Sequence, residues 1–184
     1  MQISPEEAQE SLADIDRVIS QTRRAIAGSG SDLVLIIWGI IWMLGYGVSQ
    51  FRPQWSGLIW MILVWPGAAA SWLVASRKSV IKSPQGQRIG FFWLALFAFA
   101  GIWLFILAPF NTSRLGAFFA TVPMFGYVVA GLWLGRFWII LGASVTALTL
   151  LGLAVAGDYF NLWMAAAGGG SLLVSGIYIR RYWK

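Results

Sequence analysis

Six long apolar runs limit what this chain can fold into. They lie at roughly 33–50, 57–75, 90–109, 115–134, 137–156 and 159–179. At about 1.5 Å of rise per residue, each is long enough to cross a hydrocarbon core of about 30 Å. Helices buried in soluble domains rarely need about 18 apolar residues in a row. Composition agrees: of 184 residues, 59% are hydrophobic and 11% charged, and the mean hydropathy is +0.73. A soluble domain carries about 25% charged residues. The expected fold class is all-α: a polytopic membrane protein with six transmembrane helices arranged as three hairpins, residues 31–184 forming that domain.

The links between the runs are short, which makes chain neighbours antiparallel. Only Ser76 to Ile89, between runs two and three, is longer. Of the 13 Lys and Arg residues, eleven fall on the side of the N-terminus: Arg17, Arg23, Arg24, Arg77, Lys78, Lys82, Arg88, Arg136, Arg180, Arg181 and Lys184. Only Arg52 and Arg114 fall on the other side. Cytoplasmic loops carry the excess of cations, so both termini are expected in the cytoplasm. The net charge of +6 then follows membrane topology and does not imply a nucleic-acid partner. Trp55, Trp133, Trp138, Tyr159, Tyr182 and Trp183 stand at span ends, where amphipathic rings favour the headgroup region. The polar, acidic N-terminus has no apolar leader, so no cleaved signal peptide is expected.

Residues 1–30 differ in kind. SPEE at 4–7 carries a capping serine, a proline at the first helical position and an acid three residues after the cap. Glu6, Glu7, Glu10, Asp14 and Asp16 crowd the first turns and Arg23 and Arg24 the last, which suits the helix dipole. Leu12, Ile15, Val18, Ile19, Ala25 and Ile26 form one apolar stripe at helical spacing. GSGSD at 28–32 ends this amphipathic helix, and Asp32 is placed to cap the first span. The helix could dock on its own bundle, self-associate, bind another protein or lie on the membrane. Leu12, Ile15, Ile19, Arg23 and Ile26 are the candidate partner contacts.

Two runs of small residues interrupt the bulky sequence: Gly67–Ala68–Ala69–Ala70–Ser71, and AAAGGGS from Ala165 to Ser171. In lipid, apolar surface alone does not bring helices together, whereas close backbone approach does. Gly67, Ala68, Ser71, Gly168, Gly169, Gly170 and Ser171 are therefore candidate helix-packing positions. The other readings of such a run are the flat wall of a cavity or a hinge. Shifting the chain by 103 residues lays runs one and two on runs five and six, matching Gly39 with Gly142, Trp60 with Trp163, Gly67 with Gly170 and Arg77 with Arg180. A threefold hairpin duplication is one explanation, with the repeats parallel and not inverted.

Several chemistries have no residues to carry them. The chain has no Cys and no His, so it holds no thiolate, no Ser–His dyad and neither of the usual metal ligands. No acidic or basic residue falls mid-span, where proton relays and coupled transporters place them. A serine with a lysine is available only at Ser76, Lys78, Ser79, Lys82 and Ser83, which read as a solvated basic loop. No enzyme activity and no cofactor are expected. Aromatic and sulfur surface is left, and Trp38, Trp42, Trp60, Trp65, Trp163, Met61 and Met164 are candidates to line a pocket for a flat or cationic hydrophobic molecule. Near the outer ends, Gln50, Gln54, Asn111, Thr112 and Asn161 could hydrogen-bond, and Asp158 could pair with Arg52 or Arg114.

The segments PEEAQESLADIDRV, IIWGIIWMLGYGVSQF and VPMFGYVVAGLWLGRFWIILGASVTALTLLGL resemble a family of uncharacterised bacterial six-span membrane proteins. The hairpin architecture is also similar to that of HdeD-type acid-resistance membrane proteins. The resemblance implies a bacterial inner-membrane location and names no activity. The expected role is a non-enzymatic sensory or accessory subunit acting by helix-mediated association, with lipid and either its own copies or another protein as partners. The alternative is a binder or facilitator of a small hydrophobic molecule.

Overall fold

A computed structural model describes residues 5–77, 84–107 and 111–183. Among these there are helices and no strand. Helix α1 (Pro5–Gly28) is followed by α2 (Ser31–Phe51), a 3-10 turn at Pro53–Trp55, α3 (Ser56–Arg77), α4 (Pro84–Leu107), α5 (Thr112–Leu134) and α6 (Arg136–Val155). A second 3-10 turn at Gly157–Tyr159 leads into α7 (Phe160–Trp163), a π-helical stretch (Met164–Gly169) and α8 (Gly170–Tyr182). Six helices are long and apolar enough to cross a membrane, as expected of a multi-pass membrane protein. Two glycines shape the shortest links. Gly30 (φ 86°) lets α1 turn directly into α2, and Gly135 (φ 108°) joins α5 to α6 through a single residue. Side chains rarely tolerate either conformation.

Helix α2 lies at the centre of the packing. It meets α3 on one side and α7, the π stretch and α8 on the other. That last span borders α6, α6 lies along α5, and α5 touches α4. Following neighbours through the bundle gives α3, α2, α8, α6, α5, α4. Its two end helices, α3 and α4, share no packed seam among the described residues. Leu35, Trp42 and Tyr46 of α2 are buried together with Met124 of α5, Val145 of α6, Phe160 and Met164 at the start of the last span and Leu172 of α8. Large apolar side chains also cover the outside, up to Phe105 at 88% exposure. In a bilayer such residues meet acyl chains at no cost, so hydrophobicity alone does not mark the core of this fold.

Three local expectations change. The residue capping α2 is Gly30, and Asp32 sits buried within the first turn instead of ahead of it. Trp133, Tyr159 and Tyr182 are exposed at helix ends, but Trp138 and Trp183 are buried. Trp138 stacks on Tyr127 with ring centroids 5.3 Å apart, and Trp183 packs edge-on against Phe137 at 5.0 Å. Asp158 takes part through its backbone: its carbonyl accepts a hydrogen bond of 2.9 Å from Gln50 Nε2, and no ion pair joins it to Arg52 or Arg114 among the described residues. Asn111 caps α5, its Oδ1 accepting from the Arg114 amide at 2.8 Å. The Ser4 cap and the loop residues Lys78, Ser79, Lys82 and Ser83 lie outside the described residues.

Candidate functional site: helix crossings and the exposed N-terminal helix

Ala165–Gly169, the first five residues of the AAAGGG run, form the π-helical stretch together with Met164, and beyond that methionine its wider turn carries almost no side-chain bulk. Gly168 and Gly169 face α2. A methyl group added at Gly169 would lie 2.8 Å from the Met43 amide nitrogen and 3.0 Å from the Gly39 carbonyl oxygen. One added at Gly168 would meet the Trp42 ring at 3.1 Å. Gly39 answers from α2, where a methyl would lie 2.6 Å from the Leu173 amide nitrogen and 3.0 Å from the Gly169 carbonyl oxygen. Two turns further on, in α8, a methyl at Gly176 would lie 2.7 Å from the Asp32 carbonyl oxygen. Here α2 and α8 touch backbone to backbone. Gly170, the third glycine of the run, has open space on its side. Ser171 turns its hydroxyl back to the Ala167 carbonyl at 2.5 Å.

The same device joins α6 to α5. A methyl at Gly142 would meet the Met124 carbonyl oxygen at 2.5 Å and the Val128 amide nitrogen at 3.1 Å. Gly39 and Gly142 are the pair matched by the 103-residue shift. Each faces, on its neighbour, the carbonyl of one residue and the amide of the residue four positions later. The small run on α3 is used differently. Gly67 is filled by the Ile41 side chain, and Ser71 Oγ accepts a 3.1 Å hydrogen bond from Trp38 Nε1 while donating 2.8 Å to the Gly67 carbonyl. Ala68 is exposed.

The seven candidate pocket residues separate into two sets. Trp42 and Trp60 both meet Tyr46 edge-on, at 5.9 Å and 4.9 Å between ring centroids. Tyr46 in turn donates a 2.7 Å hydrogen bond to the Gly116 carbonyl of α5. Trp163 fills the space beside Gly152 and donates 2.8 Å to the Leu148 carbonyl of α6. Met164 is fully buried, and its Cε would be 3.0 Å from a methyl at Gly168. Met61 and Trp65 point outward, at 61% and 72% exposure. Two apolar grooves, of about 560 and 420 Å³, run beside α4, α5 and α6, and none of the seven lines them. Trp163→Phe removes the indole N–H together with the five-membered ring that fills the space beside Gly152. The lost interhelical hydrogen bond, about 0.6 kcal/mol on average in a membrane, adds to the cavity cost, and a total of about 1–2 kcal/mol is expected, read as a downward shift of thermal unfolding in detergent.

The candidate contacts on α1 also divide. Ile26 and Ala27 are buried in the core of the bundle, and the Arg23 guanidinium lies 5.9 Å over the Trp183 ring. These contacts tie down the last turns of α1. Earlier in the helix, Leu12, Ile15 and Val18 are 62%, 55% and 61% exposed. The side chain of Ile19 lies outside the described residues. Among the described residues no cluster of His, Cys, Asp and Glu could hold a metal ion. Neither a family model nor a curated protein nor a solved structure matches this chain, so the functional reading stands on its own geometry.

Proposed function

We propose that this chain is a non-enzymatic integral membrane protein of the bacterial inner membrane. It acts through helix-mediated association, as a sensory or accessory subunit, with α1 as its contact in the cytoplasm. Six spans in three hairpins hold both termini on the cytoplasmic side, in line with the distribution of eleven cations against two. The observation that carries the reading is the division of α1: anchored at Arg23, Ile26 and Ala27, it presents Leu12, Ile15 and Val18 with no cover. A bilayer explains exposed apolar residues on a span. It does not explain them on a helix whose first turns carry five acids, which anionic headgroups repel.

The test is a chain lacking residues 5–22, which keeps the anchoring turn. Full-length and shortened chains are compared by native mass spectrometry from nanodiscs formed directly from cell membranes. Both are expected to insert, and the shortened chain is expected to lose an oligomeric or protein partner that the full chain carries. Identical assemblies from the two chains would overturn the proposal.

A further inference from the structure

The bundle repeats one contact twice and leaves its third instance open. In the first, Gly39 in the first half of α2 crosses the last span at Gly169 of the π stretch and Leu173 of α8. In the second, Gly142 near the start of α6 crosses α5 at Met124 and Val128. Each time, the first helix of one hairpin meets the second helix of another. The remaining first helix is α4 and the remaining second helix is α3. The pair Gly39–Trp42 recurs on α4 as Gly90–Trp93, 51 residues later. Trp93 packs on α5, its ring 2.8 Å from where a methyl at Gly126 would lie. Gly90, one turn away, has nothing within 4 Å. On α3, the 103-residue shift matches Gly169 and Leu173 with Pro66 and Ala70.

Depth and coverage agree. Gly90 lies six residues from the start of α4 and Ala70 seven from the end of α3, about 9 and 10 Å along the helix axes. Only 6% of the apolar window of α3, and of α4, is buried, against 28–39% in the other four spans. The two least covered spans are those that flank the open seam.

We propose that a second copy of this chain closes that seam, the α4 of each copy crossing the α3 of the other at Gly90. Lipid can cover apolar side chains, but it gains nothing special from a side-chain-free position, whereas a helix backbone does. Each chain carries both halves of the missing contact, so a twofold pair completes it twice. The crossing continues the pattern of the two interfaces already formed inside the chain. It is separate from the α1 contact.

The chain has no native cysteine, so paired substitutions report the crossing directly. Ile36 lies against Gly176 where α2 crosses α8. The shifts of 51 and 103 residues carry those two positions to Gln87 on α4 and Leu73 on α3, both exposed. Two differently tagged copies, Leu73→Cys and Gln87→Cys, are expressed together and oxidised in native membranes. The expected product is a dimer carrying both tags. Gly90→Leu in both copies is expected to lower its yield about tenfold, the effect of overpacking a close crossing. Gly47→Leu, at another open position, is expected to leave the yield unchanged. Deleting residues 5–22 is expected to leave it unchanged too, which separates this result from the α1 test. No mixed dimer, or a Leu73→Cys/Gln87→Cys double variant that closes only within its own chain, would overturn the proposal.

Discussion

Gly39→Leu is expected to destabilise the bundle by about 3 kcal/mol or more, at the upper end of overpacking costs. The reason is the nature of what surrounds the site. A Cβ there would sit 2.6 Å from the Leu173 amide nitrogen of α8 and 3.0 Å from the Gly169 carbonyl oxygen of the π stretch. Backbone cannot rotate aside as a side-chain tip can, so α2 and α8 must separate along their length. Gly39→Ala sets two effects against each other. Alanine improves helix propensity by about 1 kcal/mol. The clash costs about 1 to 3 kcal/mol. The clash prevails, and a net loss of about 1 kcal/mol is expected. Gly47→Ala on the same helix meets open space and is expected to be neutral or to gain up to about 1 kcal/mol. Reversible unfolding in bicelles, with the three variants side by side, measures all of this. Equal effects at Gly39 and Gly47 would show that α2 and α8 do not cross at this point.

Trp42→Ala carries the second large effect, a loss of about 2–3 kcal/mol. Truncating a buried aromatic in a soluble core costs about 3–5 kcal/mol. Part of that is transfer from water, which a helix already inserted in lipid does not recover. The cavity left between Tyr46 and Gly168 accounts for the rest. Trp65→Ala and Trp72→Ala provide the contrast. Those rings are 72% and 62% exposed, and each change is expected to stay within about 0.5 kcal/mol. Thermal unfolding followed by circular dichroism distinguishes the two classes. If Trp42→Ala were as mild as Trp65→Ala, Trp42 would not be a packing residue.

These contrasts show where the sequence was silent. Trp42 and Trp65 both stand in apolar runs with bulky neighbours, and nothing in composition separates the buried ring from the exposed one. Likewise Gly39 and Gly47 lie eight residues apart on one helix, and only one faces a backbone. In water, hydrophobic periodicity reveals which face is inside. In lipid both faces are apolar, so that signal disappears and the inward face can be read only from contacts. The small-residue run at 165–171 was visible as a place of close approach, but the helix it approaches was not. Asp32 followed cap spacing that the positive φ of Gly30 displaced. Trp138 and Trp183 carried the position of interfacial rings and are instead packed against Tyr127 and Phe137.

By itself the sequence determined the number of long apolar helices and their approximate bounds. Those features follow from run length, Gly and Pro punctuation and charge, all local along the chain. Tertiary structure alone decided that α2 is central, that Gly39 and Gly142 make matching crossings, that α1 is anchored by Ile26 and Ala27, and that α3 and α4 are left apart. Those features depend on which backbones approach within van der Waals distance. Inside a membrane, that choice turns on shape and packing between residues far apart in the chain, and not on the hydrophobicity that nearly every residue in a span shares.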